Sequence, residues 1–249
     1  MNSDFNIGIN TSWLGIGDSL TNGMLGAIAN LLPQKQFYYE GIGGQTAQQI
    51  ACRQGGSSVY LSLASGTTIT GATETIVIPT IQLYSTPASS NDIYKSGKML
   101  VTQSGQNVWV PGVLRRYVVS SAETYSLRIV QQGGTVSTVS ANTQFIPDDV
   151  GNYRDMIQLL VMGRNNSSNL TGIEKVIQGC VERIANPRRY FIVGVLNNTN
   201  EGIGTAAYTR IKTFNTLLQS TYPDNYISFG PPSQAEMDAI FYTPSSQDL

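Results

Sequence analysis

The pentapeptide Gly17-Asp18-Ser19-Leu20-Thr21 sets a serine between an apolar run, Ser12 to Gly17, and a helix-like run that follows it. A hydroxyl placed there has two uses. It can cap the helix by accepting an early backbone N–H, or it can be a nucleophile raised on a strand-to-helix turn at the mouth of an α/β sheet. Two other stretches share the setting: Gly41 to Thr46, GIGGQT, and Gly163 to Asn169, GRNNSSN. Each follows an apolar run that reads as a strand. Ligands of open α/β sheets sit beyond the carboxyl ends of the strands, so loops of this kind can meet at one edge. The sequence contains no histidine. An imidazole base for Ser19 therefore has to come from outside these residues.

The elements that would position these loops are legible as hydrophobic periodicity. SWLGIG predicts a short buried strand, and MLGAIANLL predicts a helix ending before Pro33. FYYEGIGG predicts a second strand running into a glycine turn, and TAQQIACRQ a second helix with Thr46 as its cap. From about Gly55 to Pro147 the texture changes to Thr, Ser, Val, Ile and Gly in short β-type runs broken by turn residues. After Asp148 the alternation returns: MIQLLVMG as a strand, LTGIEKVIQGCVERIA as an amphipathic helix, RRYFIVGVL as a strand, TAAYTRIKTFNTLLQSTY as a helix and YISFG as a strand. Apolar strands alternating with helices argue for a parallel sheet covered on both faces. The expected fold class is thus α/β, a three-layer α/β/α parallel sheet interrupted by an all-β insertion. Residues 1–54 with 148–249 would form the core, and 55–147 a sandwich or barrel.

At this point the chain resembles the SGNH hydrolases, also called GDSL esterases and lipases. Gly17 to Thr21 matches their first motif in full, with Ser19 in the nucleophile's place. Gly44 in GIGGQT matches the glycine whose N–H is an oxyanion-hole donor. Gly163-Arg164-Asn165-Asn166 corresponds to their G-x-N-D, with Asn165 as side-chain donor and Asn166 departing from the usual aspartate. The resemblance implies a flavodoxin-like core and carboxylic-ester hydrolysis without metal or cofactor. Their last motif, D-x-x-H, is incomplete here: Asp248 fits the acid, but the chain carries no histidine. The reading adopted is that a companion segment beyond Asp248 supplies it. The competing reading is a domain that has lost catalysis and survives as a binding or structural module.

The resemblance leaves the substrate open. Charged residues make up 12%, about half the usual roughly 25%. Uncharged polar residues fill the surface positions instead, a composition common in glycan-handling and virion proteins. The net charge of −1 gives no support to counterion-driven nucleic-acid binding. No run of 18 apolar residues marks a membrane span. Cys52 and Cys180 are too few for a disulfide framework and are expected to be buried thiols. In the β insertion, Tyr60, Tyr84, Tyr94, Trp109, Tyr117 and Tyr125 are aromatic at strand spacing, which favours core and cross-strand packing over sugar stacking. The leading expectation is an O-acetyl esterase acting on an acetylated polysaccharide, on a bacterial envelope or as part of a phage particle.

Overall fold

The computed structural model describes residues 11–63, 68–69, 74–80, 93–120, 122–130, 137–138, 142–148 and 152–228. Two sheets organise them. The first is parallel and five-stranded, built from β1 (Trp13–Gly17), β2 (Phe37–Gly41), β11 (Ile157–Val161), β12 (Tyr190–Val193) and β13 (Tyr226–Ile227). Its order is β2-β1-β11-β12-β13. The alternating pleat divides the side chains between two faces. Leu14, Ile16, Leu160 and Ile192 point to the face covered by α2 (Ala47–Gln54), α3 (Ile173–Arg183) and α4 (Ala206–Thr221). Leu159, Val161 and Val193 point to the other, where Leu25 of α1 (Thr21–Leu31) packs beside half-buried Trp13, Phe37 and Phe191. Trp13 stacks on both phenylalanine rings, at centroid distances of 6.1 and 5.8 Å.

The second sheet is antiparallel. Its strands are β3 (Val59–Ser62), β4 (Thr68–Ile69), β5 (Thr75–Pro79), β6 (Ile93–Gln103), β7 (Gln106–Val119), β8 (Ala122–Ile129), β9 (Ser137–Thr138) and β10 (Asn142–Pro147). The order β10-β3-β5-β8-β7-β6 returns on itself because β10 also pairs with β6, Phe145 opposite Met99, so six strands close into a barrel. Gly97 sits on this seam. A Cβ there would fall 2.5 Å from the Phe145 ring and from the Ile146 carbonyl oxygen, so the strands can meet only at a glycine. Val59, Leu61, Met99, Leu114, Leu127, Ile129 and Phe145 fill the interior. Arg116 is also buried and is neutralised by Glu123 at 2.7 Å.

This architecture corrects the expected three-layer α/β/α SGNH hydrolase core. A closed six-stranded barrel stands beside the parallel sheet, and the described residues contain four helices in all. Three of the four share one face of the parallel sheet, leaving α1 alone on the other. Strand–helix periodicity reports which strands run parallel. It does not report how the helices are divided between faces, or whether a run of β segments closes on itself. The barrel has its own core and is a principal unit of the fold. Its strands all lie between Val59 and Pro147, and those of the parallel sheet lie on either side of that span.

Candidate functional site at the carboxyl ends of the parallel strands

The Ser19 turn is shaped by its neighbours. Gly17 ends β1 where a Cβ would fall 2.1 Å from the Val161 carbonyl oxygen and 2.3 Å from Thr21 Oγ1, so no larger residue fits. Asp18 is turned inward and buried, and its Oδ1 accepts a hydrogen bond from the Leu20 N–H at 3.0 Å. That side-chain-to-backbone turn starts α1 and leaves Ser19 exposed. The cap position belongs to Leu20, with no side-chain cap bond. Ser19 is therefore not the helix cap. Burial pushes the Asp18 carboxyl above its ordinary range; the Leu20 N–H and the Arg164 charge pull against that shift without cancelling it.

The second loop is a tight turn lying against the first. The Ile42 N–H donates to the Gly17 carbonyl at 3.0 Å, and the Gln45 N–H to the Ile42 carbonyl at 3.4 Å. Gly44, the third residue of this turn, has φ +75°, the left-handed conformation that glycine adopts without steric cost. A Cβ on Gly43 would lie 3.6 Å from the Ser19 Cβ, so even the smallest side chain at this turn would touch the serine. Asn22 fastens α1 to the end of β2, accepting from the Gly41 N–H at 2.9 Å and donating to the Gly41 carbonyl at 3.3 Å. Thr46 then opens α2 with the expected cap, in a reciprocal capping box with Gln49.

The third loop closes onto the second. Gly163, at φ +114°, turns the chain into a single 3₁₀ turn, Arg164–Asn166. Asn165 Nδ2 donates to the Gln45 carbonyl at 2.9 Å. One of its two amide hydrogens is thus used to hold the loops together, and among the described residues the other has no partner. Asn166 accepts from the Ala47 N–H at 2.7 Å and donates to Gln48 Oε1 at 3.2 Å. A carboxylate could make only the first of these bonds. The amide at this position is matched to Gln48.

Arg53 was not among the residues singled out from sequence. It is 3% exposed and lies beneath the first two loops. Its guanidinium donates to Gln45 Oε1 at 2.7 Å, the Glu40 carbonyl at 3.0 Å and the Gly17 carbonyl at 3.2 Å. It stands 3.5 Å from the Glu40 carboxylate, and burial pulls its pKa down to about 10 although Glu40 opposes the shift. The available signal was a cation at i+3 from Ile50 on the apolar stripe of α2. A second cation, Arg164, makes a bidentate pair with Glu201 at 2.6 and 3.2 Å and donates to the Leu196 carbonyl. That clamp folds the loop following β12 against the same sheet edge.

Ser19, Gly44 and Asn165 are thus carried on three adjoining loops; Asp248 lies outside the described residues. Both cysteines are free and buried, and burial pushes the Cys52 thiol up to about 12. Of the barrel aromatics, Tyr125 is in the core, Tyr60, Tyr94 and Trp109 are exposed, and Tyr117 is half-buried with the Arg115 guanidinium 4.4 Å from its ring centre. Tyr84 lies outside the described residues. Among the described residues no cluster of three His, Cys, Asp or Glu could hold a metal, and no helix is long and apolar enough to cross a membrane. No family model, curated protein or solved structure matches the chain.

Proposed function

We propose that the chain carries a serine ester-hydrolase site of SGNH type, acting as an O-acetyl esterase on a polysaccharide. The observation that supports this most directly is the tie between the loops: the Gly43–Gly44 turn stands against Ser19, and Asn165 is hydrogen-bonded to the residue after Gly44. Ser19 Oγ attacks the acetyl carbonyl carbon as an imidazole from a companion segment takes the hydroxyl proton. The carbonyl π pair moves onto oxygen, and the Ser19 N–H, the Gly44 N–H and the free amide hydrogen of Asn165 receive that charge. Collapse expels the sugar alkoxide, which takes the proton from the imidazolium. Water then cleaves the acetyl-serine, releasing acetate and restoring the hydroxyl. Each preorganised oxyanion donor is worth about 3 to 4 kcal/mol of barrier.

The absence of histidine dictates the assay. Free imidazole supplied in the buffer should accelerate hydrolysis of a chromogenic acetate by the chain, over and above its own background, and Ser19→Ala should abolish that increment. A fluorophosphonate should label Ser19. Equal rates with the chain and with Ser19→Ala, together with no labelling, would refute the esterase reading. That outcome favours the second reading, a glycan-binding module without catalysis, for which the exposed Tyr60, Tyr94 and Trp109 of the barrel are the supporting observation.

A further inference from the structure

Beyond the far end of α2 the chain passes through Gly55–Ser58 into the barrel. Eight residues of helix, about 12 Å, separate this passage from the Gln45 turn. A cavity of about 170 Å³ opens here, and Ser57, Ser58, Gln144, Ile146, Pro147 and Arg183 are among its walls. Among the described residues its charge is unbalanced. Arg183, the last residue of α3, is half-buried, and among the described residues its guanidinium has no hydrogen-bond or ion-pair partner. Arg154 is held beside it by a 2.9 Å bond from its Nε to the Arg183 carbonyl. Burial and this second cation both pull the Arg183 pKa down. A half-buried guanidinium on a cavity wall, with another cation as its neighbour, is a site that an oxyanion completes.

The remaining walls narrow the ligand. Ser57, Ser58 and Gln144 are uncharged hydrogen-bonding side chains suited to hydroxyl groups, and Gln144 Nε2 already orients the Ser58 hydroxyl at 3.0 Å. Ile146 and Pro147 offer an apolar surface. Among the described residues the lining contains no carboxylate that could receive an ammonium, which disfavours amino acids. The volume is below the roughly 300–1,000 Å³ of drug-sized pockets, so it suits a single ring. We propose that this cavity binds one uronic acid residue, with its carboxylate on Arg183 and its hydroxyls on Ser57, Ser58 and Gln144. The inference is independent of Ser19 and stands whether or not the chain hydrolyses esters.

Calorimetric titration of the full chain with D-glucuronate tests it, with D-glucose and inorganic phosphate as controls. Saturable glucuronate binding is expected, at least tenfold tighter than either control. Arg183→Met should weaken it at least tenfold, Arg183→Lys less, and Gln144→Leu should weaken it while leaving the cation in place. Failure to saturate by about 50 mM, where even a weak millimolar site would be filled, overturns the proposal. Equal binding of glucose removes the role of Arg183. Equal binding of phosphate shows an adventitious ion only and removes the sugar. Glucuronate binding that survives both Arg183→Met and Gln144→Leu places the ligand elsewhere and also overturns it.

Discussion

Replacing Arg53 with methionine tests whether the first two loops rest on one buried cation. The substitution keeps an unbranched chain of similar reach and removes three charge-assisted hydrogen bonds, to Gln45, Glu40 and Gly17. Each is worth about 1.5–3 kcal/mol, a gross loss of about 5–9 kcal/mol. Against it stands the relief of no longer burying a guanidinium, several kcal/mol in a site this enclosed. The Glu40 contact adds less than about 1 kcal/mol, because at 3.5 Å and with Glu40 31% exposed it is screened by water. Three carbonyl-type acceptors are left without this donor, so the net should fall near the 3–5 kcal/mol typical of breaking a buried ionic network. In a chain of this size that lowers the melting temperature by about 6–20 °C.

Urea unfolding followed by tryptophan fluorescence reads this with built-in resolution. Trp13 lies in the parallel sheet and Trp109 in the barrel, so single-tryptophan versions report each sheet separately. The Trp13 transition should move to lower urea by the amount above, and the Trp109 transition by less if the two sheets unfold in separate steps. Arg53→Lys keeps the charge but lacks the fork that reaches three acceptors, and should recover less than half of the loss. A change below about 1 kcal/mol in the Trp13 transition would show that the loops hold their positions without Arg53, and the reasoning would be wrong.

Gly17→Ala forces a Cβ to within 2.1 Å of the Val161 carbonyl oxygen. It should cost at least about 2 kcal/mol, in the upper range for overpacking, read in the same urea experiment. Glu201 is held below its ordinary pKa of 4.5, first by the Arg164 hydrogen bond. Its contribution is therefore full above 4.5 and is lost as pH falls through the lowered value; wild type should lose stability relative to Glu201→Gln on acidification. Asp18 runs the other way. Burial raises its pKa from 3.8, so the protonated form favours the fold, and that contribution is lost as pH rises through the raised value; stability relative to Asp18→Asn should fall from pH 4 toward neutrality. Asn166→Asp keeps the bond from the Ala47 N–H but sets a carboxylate oxygen against Gln48 Oε1, and should cost about 1 kcal/mol unless Gln48→Lys accompanies it.

The elements of the parallel sheet were legible because each depends on local signals. Apolar runs of strand length alternate with amphipathic helices, and Thr46 caps the second helix as expected, in a box that Gln49 completes. Boundaries were less legible. The first helix begins at Thr21, three residues before the apolar run at Met24, because the Asp18 side chain starts it by holding the Leu20 N–H. The division of helices between the two faces depends on which parity of each strand meets which helix, and the closure of the barrel on the pairing of Phe145 with Met99, 46 positions apart in sequence. Neither distance nor handedness of that kind is written in a local period.

The site shows the same division. Ser19, Gly44 and Asn165 could be nominated because their residue types stand at strand ends, but what joins them could not. Gln45 contributes its backbone carbonyl to Asn165 and its side chain to Arg53, so one buried amide residue couples the second loop to the third and to the cation beneath. Nothing in the type of Gln45 announces this. A glutamine in a glycine turn reads as exposed, whereas here it has no exposed surface. The placement of Arg53 explains why: its cation requires uncharged acceptors on several sides, and Gln45 is one that can be buried without adding a charge of its own. Coupling through Gln45 also separates two roles that residue types alone confuse. Variants of Gln45 should disturb the loops and leave Ser19 chemically intact, while Ser19→Ala should remove the hydroxyl and leave the loops in place.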